Sequence, residues 1–158
     1  MRVGIGYDSH RYAAGRKLIL GGIEIPHDRG LDGWSDADVV CHALTDAILG
    51  AASLGDIGRM FPPSDPRWRG ANSVDLLAQA NFKATEHGLT FRQGDVTVIC
   101  EQPRLGPYIE RMVERLAEAL VVPPTMISVK AKTNEGMGFV GRGEGVAAMA
   151  VAMLVERS

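Results

Sequence analysis

Three side chains in the first third of the chain carry the chemistry that stands out. Asp8 and His10 are two apart at the end of a predicted strand that begins at Arg2, so period-2 geometry puts both on one face. His42 lies on a predicted helix. One aspartate and two histidines suit divalent zinc, and three protein ligands leave one tetrahedral position open for a substrate atom. The plainer reading stays open: polar residues at strand ends are often solvated or turn-forming, and a helix histidine is often a satisfied core residue. Asp38 and Asp46 flank His42 at i−4 and i+4 on the same helix face, so either could orient the imidazole. A hydrogen-bonded polar stripe is the alternative. Cys41 is adjacent to His42 but about 100° around the helix, and is expected to face the core.

A second cluster ends a predicted strand. Lys130-Ala131-Lys132-Thr133-Asn134-Glu135 brings together cations, a hydroxyl and a carboxylate. That mixture suits a phosphate with a divalent ion, Glu135 as ligand and Thr133 as donor, although a solvated strand end reads equally well. Gly4-Ile5-Gly6 is no dinucleotide fingerprint, because no third glycine opens a helix after it. The glycine-dense stretch Gly136–Gly145 reads as a tight loop.

These residues need elements to position them. Arg2–Tyr7 reads as a strand, and Lys17–Leu20 and Ile23–Pro26 as a hairpin around Gly21-Gly22. Ser35 with Asp38 resembles a capping box, opening a helix over about residues 36–53 in which Val39, Val40, Ala43, Leu44, Ala47, Ile48 and Ala51 recur at helical spacing. Phe61-Pro62-Pro63-Ser64-Asp65-Pro66 reads as an irregular loop. Further helices are expected from Ser73 to Gly88 and over Tyr108–Leu120, with strands at Asp95–Cys100, Met126–Lys132 and Val146–Val155. The last run is rich in Ala and Met, but the glycines before it and the missing cap favour a strand. Strands alternating with helices predict an α/β (α+β) fold, a mixed sheet carrying helices on one face in a single domain over 1–158.

With 17 Lys+Arg against 19 Asp+Glu, the 158-residue chain lacks the basic footprint of a nucleic-acid binder. Its longest apolar run, Gly145–Val155, is too short for a spanning helix, which needs about 20 residues. Polar residues from Tyr7 onward leave no apolar secretion signal at the N-terminus, and two cysteines are too few for a disulfide framework. A cytoplasmic protein with reduced thiols is expected. A domain of this size gains enclosure most readily by building its active site between subunits.

Taken in order, Gly6-Tyr7-Asp8-Ser9-His10, Gly21-Gly22, Ser35-Asp36-Ala37-Asp38-Val39, His42-Ala43-Leu44-Thr45-Asp46-Ala47, Leu54-Gly55-Asp56-Ile57-Gly58, Phe61-Pro62, Lys130-Ala131, Thr133, Glu135, Gly138-Phe139 and Gly141-Arg142-Gly143-Glu144-Gly145 resemble the 2-C-methyl-D-erythritol 2,4-cyclodiphosphate synthases. The likeness runs from residue 1 to about 156; each motif alone is unspecific, while their order and spacing together are specific. The resemblance implies a homotrimer with active sites between subunits, in the non-mevalonate route to isoprenoids. It implies that the 2-phosphate of 4-diphosphocytidyl-2-C-methyl-D-erythritol 2-phosphate attacks the β-phosphate, closing a cyclic diphosphate and releasing CMP. Zn2+, one per subunit, would be held by Asp8, His10 and His42, and Mg2+ or Mn2+ on the diphosphate by Glu135.

By the same resemblance, the nucleotide pocket comprises Cys100, Glu101, Gln102, Pro103, Arg104, Leu105 and Gly106 with Ala131, Lys132, Thr133, Asn134 and Glu135. Asp56, Ile57, Gly58, Phe61, Pro62, Pro63, Ser64 and Asp65 would lie near the methylerythritol, and Ser9, Trp34 and Ser35 would be further substrate contacts. Phe139, Arg142 and Glu144 resemble residues at a threefold axis where relatives can hold an isoprenoid diphosphate. Thr133 would donate to the transition state. Trp34 stands where many relatives carry a histidine with that role, and an indole offers only its N–H. Lys132 stands where Thr is common. Two readings compete: a zinc-dependent nucleotide diphosphate hydrolase using the same three ligands, and a non-enzymatic binding protein with structural zinc and therefore four protein ligands.

Overall fold

In a computed structural model, which describes residues 1–157, the architecture is set by one helix lying unusually close to one strand. The first strand, β1, spans Arg2–Ala14, well beyond the predicted Tyr7. Its polar second half stays extended because it pairs on both sides. It runs antiparallel to β7 (Gly145–Glu156), with Asp8 opposite Ala148 and His10 opposite Val146, and Tyr12–Ala14 pair with β4 (Arg29–Leu31). Asp8 and His10 therefore sit mid-strand.

The five-stranded sheet has the order β4-β1-β7-β5-β6, with β5 at Leu89–Ile99 and β6 at Ile127–Lys132. Only β5 and β6 run parallel, so the sheet is mixed as expected. The predicted hairpin forms β2 (Leu18–Leu20) and β3 (Ile23–Ile25). The Ala- and Met-rich C-terminal run is the central strand β7. Its even-numbered residues, Val146, Ala148, Ala150, Ala152 and Leu154, are buried towards the helices.

The first helix, α1, spans Val39–Ala51. It packs on the even face of β1, where a side chain at Gly4 would place its Cβ 2.0 Å from the Ala47 carbonyl oxygen, and one at Gly6 would sit 1.9 Å from that of Ala43. Glycine on the strand and alanine on the helix are what allow this approach. The expected capping box is corrected: Asp38, not Ser35, is the N-cap, because Ala37 is left-handed (φ 60) and the helix starts later. The Asp38 carboxylate accepts from Val40 and Cys41 N–H at 3.1 Å, and from Gly21 and Gly22 N–H at 2.9 and 2.7 Å. It thereby ties the helix start to the hairpin turn.

A short helix, α2 (Ile57–Met60), and a 3-10 turn (Pro66–Trp68) bracket the proline-rich loop. Helix α3 (Ser73–Glu86) is capped by Asn72, and α4 (Ile109–Leu120) ends at a left-handed Val121. The glycine-dense stretch holds a four-residue helix, α5 (Gly138–Gly141), where a loop was expected. No helix among the described residues is long and apolar enough to cross a membrane.

The sheet's other face is apolar and uncovered. Val3, Ile5 and Tyr7 of β1 are 62%, 67% and 52% exposed, and Met149 and Val151 of β7 are 44% and 43% exposed. An apolar patch of this kind is unusual on a monomer's surface.

The close approach of α1 makes a specific demand. Gly6→Ala should lower stability by about 1–3 kcal/mol or more, since a backbone carbonyl must move. Urea unfolding would show a lower midpoint at unchanged slope; an unchanged midpoint would refute this account of the packing.

Candidate functional site

Packing α1 onto β1 brings the three sequence-distant side chains together. Asp8 Oδ2 lies 3.0 Å from His10 Nε2 and 3.0 Å from His42 Nδ1. The two ring nitrogens are 3.3 Å apart. Ligands on a tetrahedron about 2.0–2.1 Å from a zinc ion are about 3.3 Å from one another, so the three atoms fit one ion. No fourth His, Cys, Asp or Glu joins the group among the described residues, so a tetrahedral ion held there would keep one position free of these protein ligands.

Each histidine is held by its outer nitrogen. His10 Nδ1 donates to the Asp32 carbonyl at 2.6 Å, which fixes the proton there and leaves Nε2 as a free lone pair. His42 Nε2 lies 2.8 Å from Ser73 Oγ and 3.1 Å from Ser35 Oγ. The sequence expectation for this role is corrected. Asp38 is spent on the α1 cap and the hairpin turn, and Asp46 accepts the Ile57 N–H at 2.7 Å, so neither hydrogen-bonds to the imidazole. Asp46 instead anchors α2 beside the site. Cys41 is fully buried in the core, as expected.

The ligand cluster opens into a cavity of about 230 Å³ walled by Trp34, Ser35, Ile57, Gly58, Phe61, Pro63 and Trp68. Phe61 and Trp68 meet edge to face, 5.0 Å between centroids. Asp56 caps α2 through the Arg59 N–H at 2.8 Å, and Asp65 pairs with Arg67, so both organise the wall. Pro62 and Ser64 lie on the same loop without lining the cavity. Trp34 is on the rim, 43% exposed, with the Arg69 guanidinium 5.7 Å above its ring. Ser9 is not among the residues of the triad cavity; with His10, Phe139 and Glu144 it lines a second cavity, beside which Arg142 pairs with Glu144 at 2.8 Å.

The second cluster forms its own cavity, of about 550 Å³, lined by Cys100, Glu101, Gln102, Arg104, Leu105, Gly106, Ala131, Lys132 and Thr133. Lys132 is thus a cavity residue. The loop that follows β5 is pinned from three sides. Cys100 Sγ donates to the Gln102 carbonyl at 3.1 Å, the Tyr12 hydroxyl donates to the same carbonyl, and Glu101 Oε1 takes the Asn134 N–H at 2.6 Å. Pro103 follows Gln102 in a cis peptide. Glu135, held left-handed (φ 52) with its N–H on Thr133 Oγ1 at 3.3 Å, stands outside the triad. The two cavities share no lining residue. The outer partners Asp32, Ser73 and Asp36 escaped the sequence reading; only the polar start of the Ser73 helix hinted at one of them.

The triad's electrostatics follow from its packing. Burial opposes ionisation of Asp8, but the adjacent imidazoles, with the His10 hydrogen bond foremost, outweigh it and bring its pKa down to about 2. Burial likewise opposes charging His10, yet the Asp8 hydrogen bond and charge raise its pKa above the ordinary 6.5. In metal-free protein, the Asp8 contribution to stability is present above its unfolded 3.8 and is lost as pH falls towards 2. The His10 contribution is present below 6.5 and is lost as pH rises through the raised folded value. The melting-temperature advantage of chelator-treated wild type over Asp8→Asn should peak between these limits and shrink on both sides. A pH-independent difference would contradict the pairing.

Comparison with known proteins agrees with this layout. The model of the YgbB family matches residues 1–155. The chain is 56% identical over 157 residues to the 2-C-methyl-D-erythritol 2,4-cyclodiphosphate synthase of Symbiobacterium thermophilum, covering 99% of this chain and 100% of that one. It is 55% identical to that of Moorella thermoacetica, covering 99% and 96%. A solved structure of a 2C-methyl-D-erythritol-2,4-cyclodiphosphate synthase in its CDP-bound form superposes with a TM-score of 0.90 at 40% identity, covering 98% of this chain and 100% of that chain. With its mixed sheet, its glycine-backed helix and its ligand triad, the chain belongs to the YgbB family, that of the 2-C-methyl-D-erythritol 2,4-cyclodiphosphate synthases.

Proposed function

We propose that the chain, over residues 1–158 as one synthase domain, converts 4-diphosphocytidyl-2-C-methyl-D-erythritol 2-phosphate to 2-C-methyl-D-erythritol 2,4-cyclodiphosphate and CMP in the cytoplasm. The carrying observation is the convergence of Asp8, His10 and His42 within 3.0–3.3 Å beside a sugar-sized cavity. The relatives bear this name, and one was solved with CDP.

In the reaction, an oxygen of the 2-phosphate bonds to the β-phosphorus, the bond from that phosphorus to the CMP oxygen breaks, and CMP leaves with the electron pair. The nucleophile is part of the substrate, so positioning carries much of the acceleration. Asp8, His10 and His42 would hold zinc, and Glu135 a magnesium or manganese ion on the diphosphate; when bound, these ions offset the repulsion between phosphates. Thr133 and the Trp34 indole N–H donate to phosphoryl oxygens. The backbone of residues 100–106 reads the cytosine, and the bonds from Tyr12, Cys100 and Glu101 keep its amides and carbonyls in place. Ile57, Gly58, Phe61 and Pro63 shape the methylerythritol side and keep water out.

Each chain supplies a triad cavity and a separate nucleotide cavity, and a heterologous ring of three closes by joining the triad of one subunit to the nucleotide loop of the next. The uncovered face with Val3, Ile5, Tyr7, Met149 and Val151 supplies the buried centre of such a trimer. Phe139, Arg142 and Glu144 would then surround its axis, where an isoprenoid diphosphate fits.

Two measurements test this. In H2(18)O the synthase yields CMP and a cyclic product without solvent oxygen, whereas a zinc-dependent hydrolase yields a linear phosphate carrying the label. His42→Ala and Glu135→Ala trimers should each be nearly inactive, while mixed trimers regain roughly one wild-type site in four by random assortment. Mixtures as inactive as their parents would rule out a site shared between subunits.

A further inference from the structure

The triad needs each histidine in one tautomer, and His42 is the one whose tautomer is not fixed by a backbone carbonyl. We propose that Asp36, acting through Ser73, is the positioning residue that fixes the proton of His42 on Nε2 and so keeps Nδ1 open for the metal. The proposal rests on the metal-site reading above and deepens it.

Asp36 sits in the turn before α1, and Ser73 is the first residue of α3, fully buried. The Asp36 carboxylate takes the Ser73 N–H at 3.1 Å and the Asp38 N–H at 3.2 Å. It also takes the Ser73 hydroxyl proton. A carboxylate only accepts, and a serine has one hydroxyl proton, so that proton is committed to Asp36. What Ser73 Oγ offers to His42 Nε2, 2.8 Å away, is therefore a lone pair. Nε2 must carry the imidazole proton, and Nδ1 faces Asp8 and His10 with its lone pair free.

The opposite tautomer has a ready partner. A proton on Nδ1 would donate to Asp8 Oδ2 at 3.0 Å and occupy two of the three ligand atoms with one hydrogen bond. Ser35 does not decide between the tautomers. Its hydroxyl lies 3.1 Å from Nε2, accepts the Ala37 N–H at 3.2 Å, and can either donate or accept at the ring. Only the arm ending on a carboxylate has a fixed direction.

The test measures zinc affinity of the purified chain by competition with a chelating dye, with activity as a secondary readout. Ser73→Ala should weaken zinc about 10–100-fold, in line with other residues that orient metal ligands. Asp36→Asn should weaken it in the same direction, because an amide can donate to Ser73 and reverse the arm. Ser73→Thr, which keeps the hydroxyl, should recover most of the affinity. Nitrogen-15 shifts of His42 in metal-free protein should report the Nε2–H form in wild type and a mixture in Ser73→Ala. Wild-type affinity in a Ser73→Ala variant that folds by circular dichroism would overturn the proposal; should that variant not fold, Asp36→Asn decides in the same way. His42→Ala separates the two readings. If it loses zinc while the Ser73 and Asp36 variants keep it, the relay falls and the metal site stands. If His42→Ala also keeps zinc, the site itself falls.

Discussion

The absence of side chains at two positions of one strand governs the molecule. Gly4 and Gly6 let the backbone of α1 lie almost directly on β1. A helix normally rests on a sheet through a layer of side chains; here part of that layer is missing, and the helix is lowered locally. His42 leaves α1 at the level of Asp8 and His10, two residues further along the same strand face. The alanines of α1 and β7 continue the close packing across the sheet.

Once lowered, the helix start must be held against sliding, and the loops before it do this. Asp38 joins it to the hairpin turn through four backbone N–H groups. Asp36 joins the turn before it to α3. Asp46, one turn beyond His42, accepts the Ile57 N–H and so holds α2 beside the cavity next to the triad. Three aspartates that look alike in sequence thus hold three different loops around one imidazole, and none of them touches it.

Much of this was legible. The hairpin showed itself by Gly21-Gly22, α1 by its apolar spacing, and the triad by period-2 spacing plus one helix histidine. The misses share a cause, since each depends on a contact between segments. Beyond Tyr7, β1 is polar and looks like a loop until β7 and β4 supply partners. Ser35 fits a capping box as well as Asp38 fits a cap, and a left-handed alanine between them decides the matter. The aspartates at i−4 and i+4 were natural partners for His42 by helix geometry, but buried N–H groups nearby claimed both. The real partner, Ser73, sits on another helix, and the partner of His10 is the backbone carbonyl of Asp32, which no residue type announces.

The proposed function rests on three side-chain atoms placed so that one ion could be shared among them. Anomalous diffraction on both sides of the zinc edge, from crystals of the zinc-loaded protein, tests that directly. The account predicts one peak per chain, about 2.0–2.2 Å from Asp8 Oδ2, His10 Nε2 and His42 Nδ1. No peak there, or a zinc bound by other residues, would contradict it.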